Sequence, residues 1–150
     1  MNHQRRNVLR MMAMIGLMAS TGLITQAQAL EWNSQAFDGK NMDDVLKALG
    51  GGSANQSAEV MLELPDIAEN GAVVPVGVST SLNAQEIAII VEKNPKPLAA
   101  HFILPAGAEP FVATRVKVKE TSNVHALVKV DGKWLFVTKE VKVTHGGCGG

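Results

Sequence analysis

The sequence has one cysteine in 150 residues and no tyrosine, and aromatic side chains make up only 4% of it. One cysteine excludes an intrachain disulfide and any zinc site built on several thiolates. Missing tyrosine and a missing second cysteine remove the tyrosine corner and the inter-sheet disulfide of antibody domains. Few aromatics and no excess of positive charge argue against nucleic-acid binding. No G-x-S-x-G, Walker loop or H-E-x-x-H occurs, so the common hydrolase, nucleotide and zinc-protease constellations are absent. Five of the seven methionines precede Ser20, which leaves too few for a methionine metal box. No cofactor motif is found, and no metal site is expected.

The zero formal charge hides an uneven distribution. Residues 1–29 carry Arg5, Arg6 and Arg10 with no acid, then a moderately apolar stretch from Met11 to Ile24, then Ala27-Gln28-Ala29 as an A-x-A cleavage signature. The paired arginines, with Leu9 and Arg10 after them, resemble a twin-arginine export signal. The apolar stretch is shorter than the roughly 20 residues that span a bilayer, so a membrane anchor is not expected. Export by this route implies a periplasmic location, and a folded partner can travel with the chain. The remaining residues carry eleven bases against fourteen acids. Residues 30–110 sum to −7 and residues 111–150 to +4, which reads as two differently charged solvated faces.

One helix is expected after the signal. Met42, Val45, Leu46 and Leu49 make an apolar stripe at i, i+3, i+4, i+7. Asn41 can cap it, Asp43 and Asp44 suit its positive end, and Gly50-Gly51-Gly52 stops it. From Glu59 the period becomes two, predicting strands over 59–64, 73–80, 86–92, 98–104, 111–119, 123–130, 133–138 and 141–143. Asp131-Gly132 is the strongest hairpin signal, because a two-residue type I′ turn needs positive φ at both positions. Short strands at this spacing predict a mainly β fold, an immunoglobulin-like antiparallel β-sandwich with one short N-terminal helix. His101 and His125 fall in separate strands and read as packed or surface residues rather than metal ligands.

Gly146-Gly147-Cys148-Gly149-Gly150 is the segment that carries chemistry. A lone cysteine is most often a small buried hydrophobe, but four flanking glycines offer no side chains to bury this one. The composition predicts a flexible C-terminal arm over 146–150, reaching roughly 17 Å beyond Val143 when extended. Gly146, Gly147, Gly149 and Gly150 make it thin enough to enter a narrow channel. An enzyme's own nucleophile is held rigidly against a base, so Cys148 suits presentation to other proteins' active sites. At an ordinary thiol pKa only about 3% is thiolate at pH 7, so activation would come from the host site. His145 sits three residues before the thiol, too loosely placed to form a fixed dyad. An exported thiol with no intramolecular partner either reacts or pairs with another chain, a second Cys148 included.

With this terminus, a twin-arginine signal and an immunoglobulin-like domain, the sequence resembles the SoxY family, the sulfur-carrying subunits of bacterial thiosulfate oxidation. Similar stretches are Pro65-Asp66-Ile67-Ala68-Glu69-Asn70-Gly71-Ala72, Val91-Glu92-Lys93-Asn94-Pro95, Glu120-Thr121-Ser122-Asn123-Val124 and Lys139-Glu140-Val141-Lys142-Val143-Thr144. The resemblance implies a signal peptide over 1–29, a SoxY-like domain over 30–145 and a carrier arm over 146–150. It implies a heterodimer with SoxZ. It also implies transient work with SoxXA, which joins thiosulfate to Cys148; with SoxB, which releases sulfate; and with SoxCD, which oxidises the remaining sulfur. On this reading Cys148 is a covalent substrate anchor and the chain is not an enzyme. Two other classes remain open. A thiocarboxylate carrier would use a terminal Gly149-Gly150, and an exported binding module would use Cys148 only as an interchain link.

Overall fold

The computed structural model describes residues 33–145. Two helices come first: α1 (Ser34–Asp38) and α2 (Met42–Ala48). Nine strands follow: β1 (Ala54–Gln56), β2 (Val60–Glu63), β3 (Ile67–Ala68), β4 (Val74–Thr80), β5 (Glu86–Val91), β6 (Leu98–Ile103), β7 (Phe111–Val116), β8 (Ser122–Val130) and β9 (Lys133–Val143). The larger sheet runs β1-β9-β8-β5-β6, with β3 also on β9. The smaller one runs β2-β4-β7.

Between the sheets lies the main core. Alternate residues of β5 (Ile87, Ile89, Val91) and β8 (Val124, Ala126, Val128) face Val74, Val76 and Val78 of β4, all buried. The opposite face of the larger sheet is buried as well. There Ala88, Ile90, Leu127 and Trp134 pack under Ala36 of α1, Val45 and Leu46 of α2, and Leu49 just after it. Burial on both faces explains the unbroken apolar run Ile87–Val91, since a strand covered on two sides has no need of alternation. The mainly β, immunoglobulin-like sandwich expected from the sequence is the architecture found, with a helical layer on one face.

Several local expectations hold. Asn41 Oδ1 accepts from the Asp44 amide at 2.9 Å, capping α2. Asp131 and Gly132 take φ of 50° and 77°, and Val130 pairs with Lys133 across the tight turn. Others need correction. Among the described residues there are two helices, not one. The five residues of α1 carry no periodic signal, but Asn33 starts it by accepting from the Ala36 amide at 3.1 Å, and its side-chain amide donates to Ala48 O at 2.9 Å, fastening α1 to α2. Residues 133–143 form one strand of 11 residues rather than two, because Lys139 and Glu140 stay in the ladder with β8, Lys139 half-buried with its ammonium on Leu64 O and Glu140 exposed on the opposite face. The seventh strand stops at Val116 instead of Lys119. The pairing is not wholly antiparallel either: β1 and β3 both run parallel to β9, one at each end of it. The acidic and basic halves are not separate faces, since β5 and β8 are neighbours and Glu86 pairs with Lys129 at 2.9 Å.

Candidate functional site

Cys148, Gly146, Gly147, Gly149 and Gly150 lie outside the described residues, as does the signal expected over 1–29. What the structure describes is the root from which residues 146–150 leave the domain. That root is the C-terminal end of β9, and it is held on both sides. On one side, residues 65–72 run alongside it. The Lys142 amide donates to Asp66 O at 2.9 Å, the Thr144 amide to Ala68 O at 3.2 Å, and the Gly71 amide to His145 O at 3.1 Å. On the other side β8 pairs Ser122 with Val141, and the Val143 amide donates to Thr121 Oγ1 at 3.0 Å.

The clasp is itself braced. Asn70 Oδ1 accepts from the Ala72 amide at 2.9 Å, closing an Asx turn. Gly71 O accepts from the Val118 amide at 2.7 Å, tying the turn to the chain beyond β7. Lys139 Nζ donates to Leu64 O at 2.7 Å and lies 3.1 Å from Asp66 Oδ1. At the same end of the sandwich, the Lys93 amide donates to Ser122 Oγ and the Glu92 amide to Asn123 O. Asn94 bridges Lys117 O and the Lys119 amide. The four stretches that carried the family resemblance thus converge on one end, the end at which β9 finishes. Their residue pattern alone gives no sign of this role. A two-residue strand whose partner is 75 residues away leaves no periodic trace.

The described histidines do different work. His101 Nε2 lies 2.8 Å from Glu86 Oε2, and Glu86 also meets Lys129. His125 Nδ1 lies 2.7 Å from Thr138 Oγ1, with Glu92 3.7 Å from its other nitrogen. Burial holds His125 below the usual imidazole pKa, and Glu92 opposes that shift. His145 is exposed, its Nδ1 3.4 Å from Thr144 Oγ1. Among the described residues no three His, Cys, Asp or Glu side chains come together as a metal site, and no helix is long and apolar enough to cross a membrane. A concavity of about 440 Å³ on the outer face of the smaller sheet is lined by Glu63, Pro75, Gly77, Ala113 and Arg115 among others. It sets no nucleophile beside a base.

The sequence's single cysteine follows three residues after this braced strand end. The family described as "Sulfur oxidation protein SoxY" matches residues 46–148, a span that takes in the clasp and runs through Cys148. The chain belongs to the SoxY family. The sulfur carrier protein SoxY from Chlorobium limicola f thiosulfatophilum agrees in structure, with 35% sequence identity and a TM-score of 0.63, over 75% of this chain and all of that one. Superoxide reductase (neelaredoxin) from Ignicoccus hospitalis matches at 21% identity and a TM-score of 0.50, over 56% of this chain and 79% of that one, a likeness of fold alone. Among curated proteins none matches the sequence. SoxY membership makes this chain a member of a sulfur-carrier family and associates it with the partners of the Sox system in general.

Proposed function

We propose that this SoxY-family chain is a periplasmic sulfur carrier, exported by the twin-arginine route, that holds thiosulfate-derived intermediates on Cys148 and presents them to Sox enzymes. One observation supports this above the others. The family match extends through Cys148, and the strand leading to it is clasped until three residues before the thiol.

The chemistry divides between carrier and enzymes. Loading joins the Cys148 thiol to the outer sulfur of thiosulfate, giving a cysteine S-thiosulfonate; one proton and two electrons leave, the electrons passing to the haem enzyme SoxXA. Water then attacks the terminal sulfonate sulfur under SoxB, sulfate departs, and a persulfide stays on Cys148. SoxCD, where present, oxidises that persulfide sulfur for a second hydrolysis. The chain supplies the sulfur anchor, the slender glycine approach and a fixed point of departure, while SoxZ accompanies it as the other subunit. None of these steps asks for a cofactor in this chain or for a base beside Cys148.

Mass spectrometry of the intact protein and of its Cys148 peptide, from cells given thiosulfate, tests the reading. Sulfur adducts on Cys148 that disappear with reductant are expected, with none on a Cys148→Ser variant that still folds and still binds SoxZ. An unmodified thiol, or normal thiosulfate oxidation by Cys148→Ser, would overturn it.

A further inference from the structure

We propose that Asn70 is a modification site: its side-chain amide converts through a cyclic imide to aspartate or isoaspartate, at a rate set by how often Gly71 lets go of His145. Asn70-Gly71 is the one Asn-Gly pair among nine asparagines. Glycine matters because it has no Cβ to hinder the approach of its backbone nitrogen to a carbonyl carbon beside it. Asn70 is exposed, whereas Gly71 is buried. The Asx turn, in which Asn70 Oδ1 accepts from the Ala72 amide at 2.9 Å, folds the side-chain carbonyl back over the Gly71 peptide. Electrophile and nucleophile are thus neighbours in the folded protein, and backbone bonding keeps them from reacting. The Gly71 amide donates to His145 O at 3.1 Å, and Asn70 O, on the same peptide unit, accepts from the Val73 amide at 3.4 Å. While the first bond holds, the nitrogen keeps its proton. Together the two stop the peptide from turning toward Asn70 Cγ.

The chemistry needs only water. Solvent hydroxide takes the Gly71 amide proton, and the nitrogen attacks Asn70 Cγ. The Cγ–Nδ2 bond then breaks, and Nδ2 leaves as ammonia after taking a proton from water. A second water opens the imide: attack at the former side-chain carbonyl gives aspartate, attack at the backbone carbonyl gives isoaspartate. No electrons are transferred and no enzyme is required. Opening at His145 is the gate, because this residue lies beyond Val143, where β9 ends, and chain ends open locally at far lower cost than the whole domain unfolds. Conversion is one-way. Isoaspartate lengthens the main chain by one carbon at residue 70, so Gly71 can no longer meet His145 O and the Val118 amide together. Either product adds a negative charge to a segment that already holds Asp66 and Glu69. The clasp on the end of β9 is loosened as a result. In a carrier, such a chain would present its cysteine-bearing end from a less fixed point; that consequence rests on the carrier reading, and the site itself does not.

The test ages the purified full chain at mildly alkaline pH, both folded and in urea. Peptide mapping that separates the two products follows Asn70, and residue-resolved amide exchange follows Gly71. Conversion at Asn70 should be slower in the folded chain than in urea, by the factor by which Gly71 exchange is slowed. Thr121→Val removes the acceptor of the Val143 amide and should raise both rates together, by about 2- to 12-fold, the range that one lost hydrogen bond gives. Converted chains, separated from the rest, should exchange faster at Val143 and Thr144. Conversion as fast in the folded chain as in urea overturns the proposal. So does an Asn70 that stays intact while Gly71 exchanges fully, or a Thr121→Val chain in which exchange and conversion change by different factors. Unchanged exchange at Val143 and Thr144 in converted chains would overturn the loosening of the clasp. Cys148→Ser should age at the wild-type rate, so the site stands or falls separately from the carrier reading.

Discussion

The three glycines after α2 should respond very differently to the same added methyl group. Gly51 lies against Trp134, which is 1% exposed and packed among Leu46, Leu49, Ala88 and Leu127. A Cβ on Gly51 would stand 2.7 Å from Trp134 Nε1 and closer still to Cδ1. The indole cannot retreat, because the helices and the sheet fill the space around it and Lys129 Nζ lies 5.5 Å from its centroid. The strain falls on the end of α2, where the Gly51 amide donates to Leu46 O at 2.8 Å. Overpacking of a filled site costs about 1–3 kcal/mol. Gly52 has open space at its Cβ position and no positive φ, so Gly52→Ala should be neutral or stabilise by about 0.4–1 kcal/mol through the unfolded chain. Gly50 is equally open but has φ of +76°, and alanine there should cost about 1–2 kcal/mol by backbone strain alone. Equilibrium urea unfolding reads the differences. With a slope of about 1–3 kcal/mol per M, Gly51→Ala should unfold roughly 1 M below Gly52→Ala at an unchanged slope. Equal midpoints for the two would refute the packing of α2 on Trp134.

Two further outcomes follow from the site. His125 has its pKa lowered in the fold, so the unfolded chain binds the proton more tightly. Its contribution is complete above the usual value near 6.5 and is lost as pH falls through the lower folded value. Urea midpoints should therefore decline below about pH 6.5, and His125→Gln should flatten that decline; identical pH profiles would count against it. Thr121→Val removes the acceptor for the Val143 amide. It should cost about 0.5–1.5 kcal/mol and speed amide exchange at Val143 and Thr144, read by hydrogen exchange with mass spectrometry. Unchanged exchange there would mean that the side chain does not hold the root.

The parts of this molecule legible in its sequence are those whose signal is local. The Asn41 cap, the α2 stripe and the Asp131-Gly132 turn each sit within a few residues, and each forms as expected. The sandwich follows from period-two alternation in strands long enough to show it. Short elements fixed by distant partners left no such trace. β1 and β3 have three residues and two, and exist because β9 offers a free edge for each. The same limit hid the clasp: residues 65–72 carry the family resemblance, but no strand is expected there. The expectation at Cys148 rests on composition alone, since its glycine neighbours offer no side chains to bury it, and the residue lies outside those described.

On the proposed carrier function, the segment that bears Cys148 and the strand end before it impose complementary demands on sequence. Delivering one thiol to several enzymes needs a slender chain near the sulfur, which glycine provides without help from any other part of the protein. It equally needs a fixed origin, or the sulfur is spread over a larger volume and its effective concentration at each enzyme falls. A fixed origin cannot be written locally, because a terminal strand held on one side only tends to fray. The fold places β9 between two partners, with β8 along its length and β3 at its C-terminal end. Bracing then reaches back through Gly71 to Val118 and through Ser122 to Lys93. Three separated stretches are thereby bound, directly or through one another, to the strand end that the fourth forms. A substitution in any of them should loosen this end before it unfolds the domain, and exchange at Val143 and Thr144 is where that loosening would first be seen.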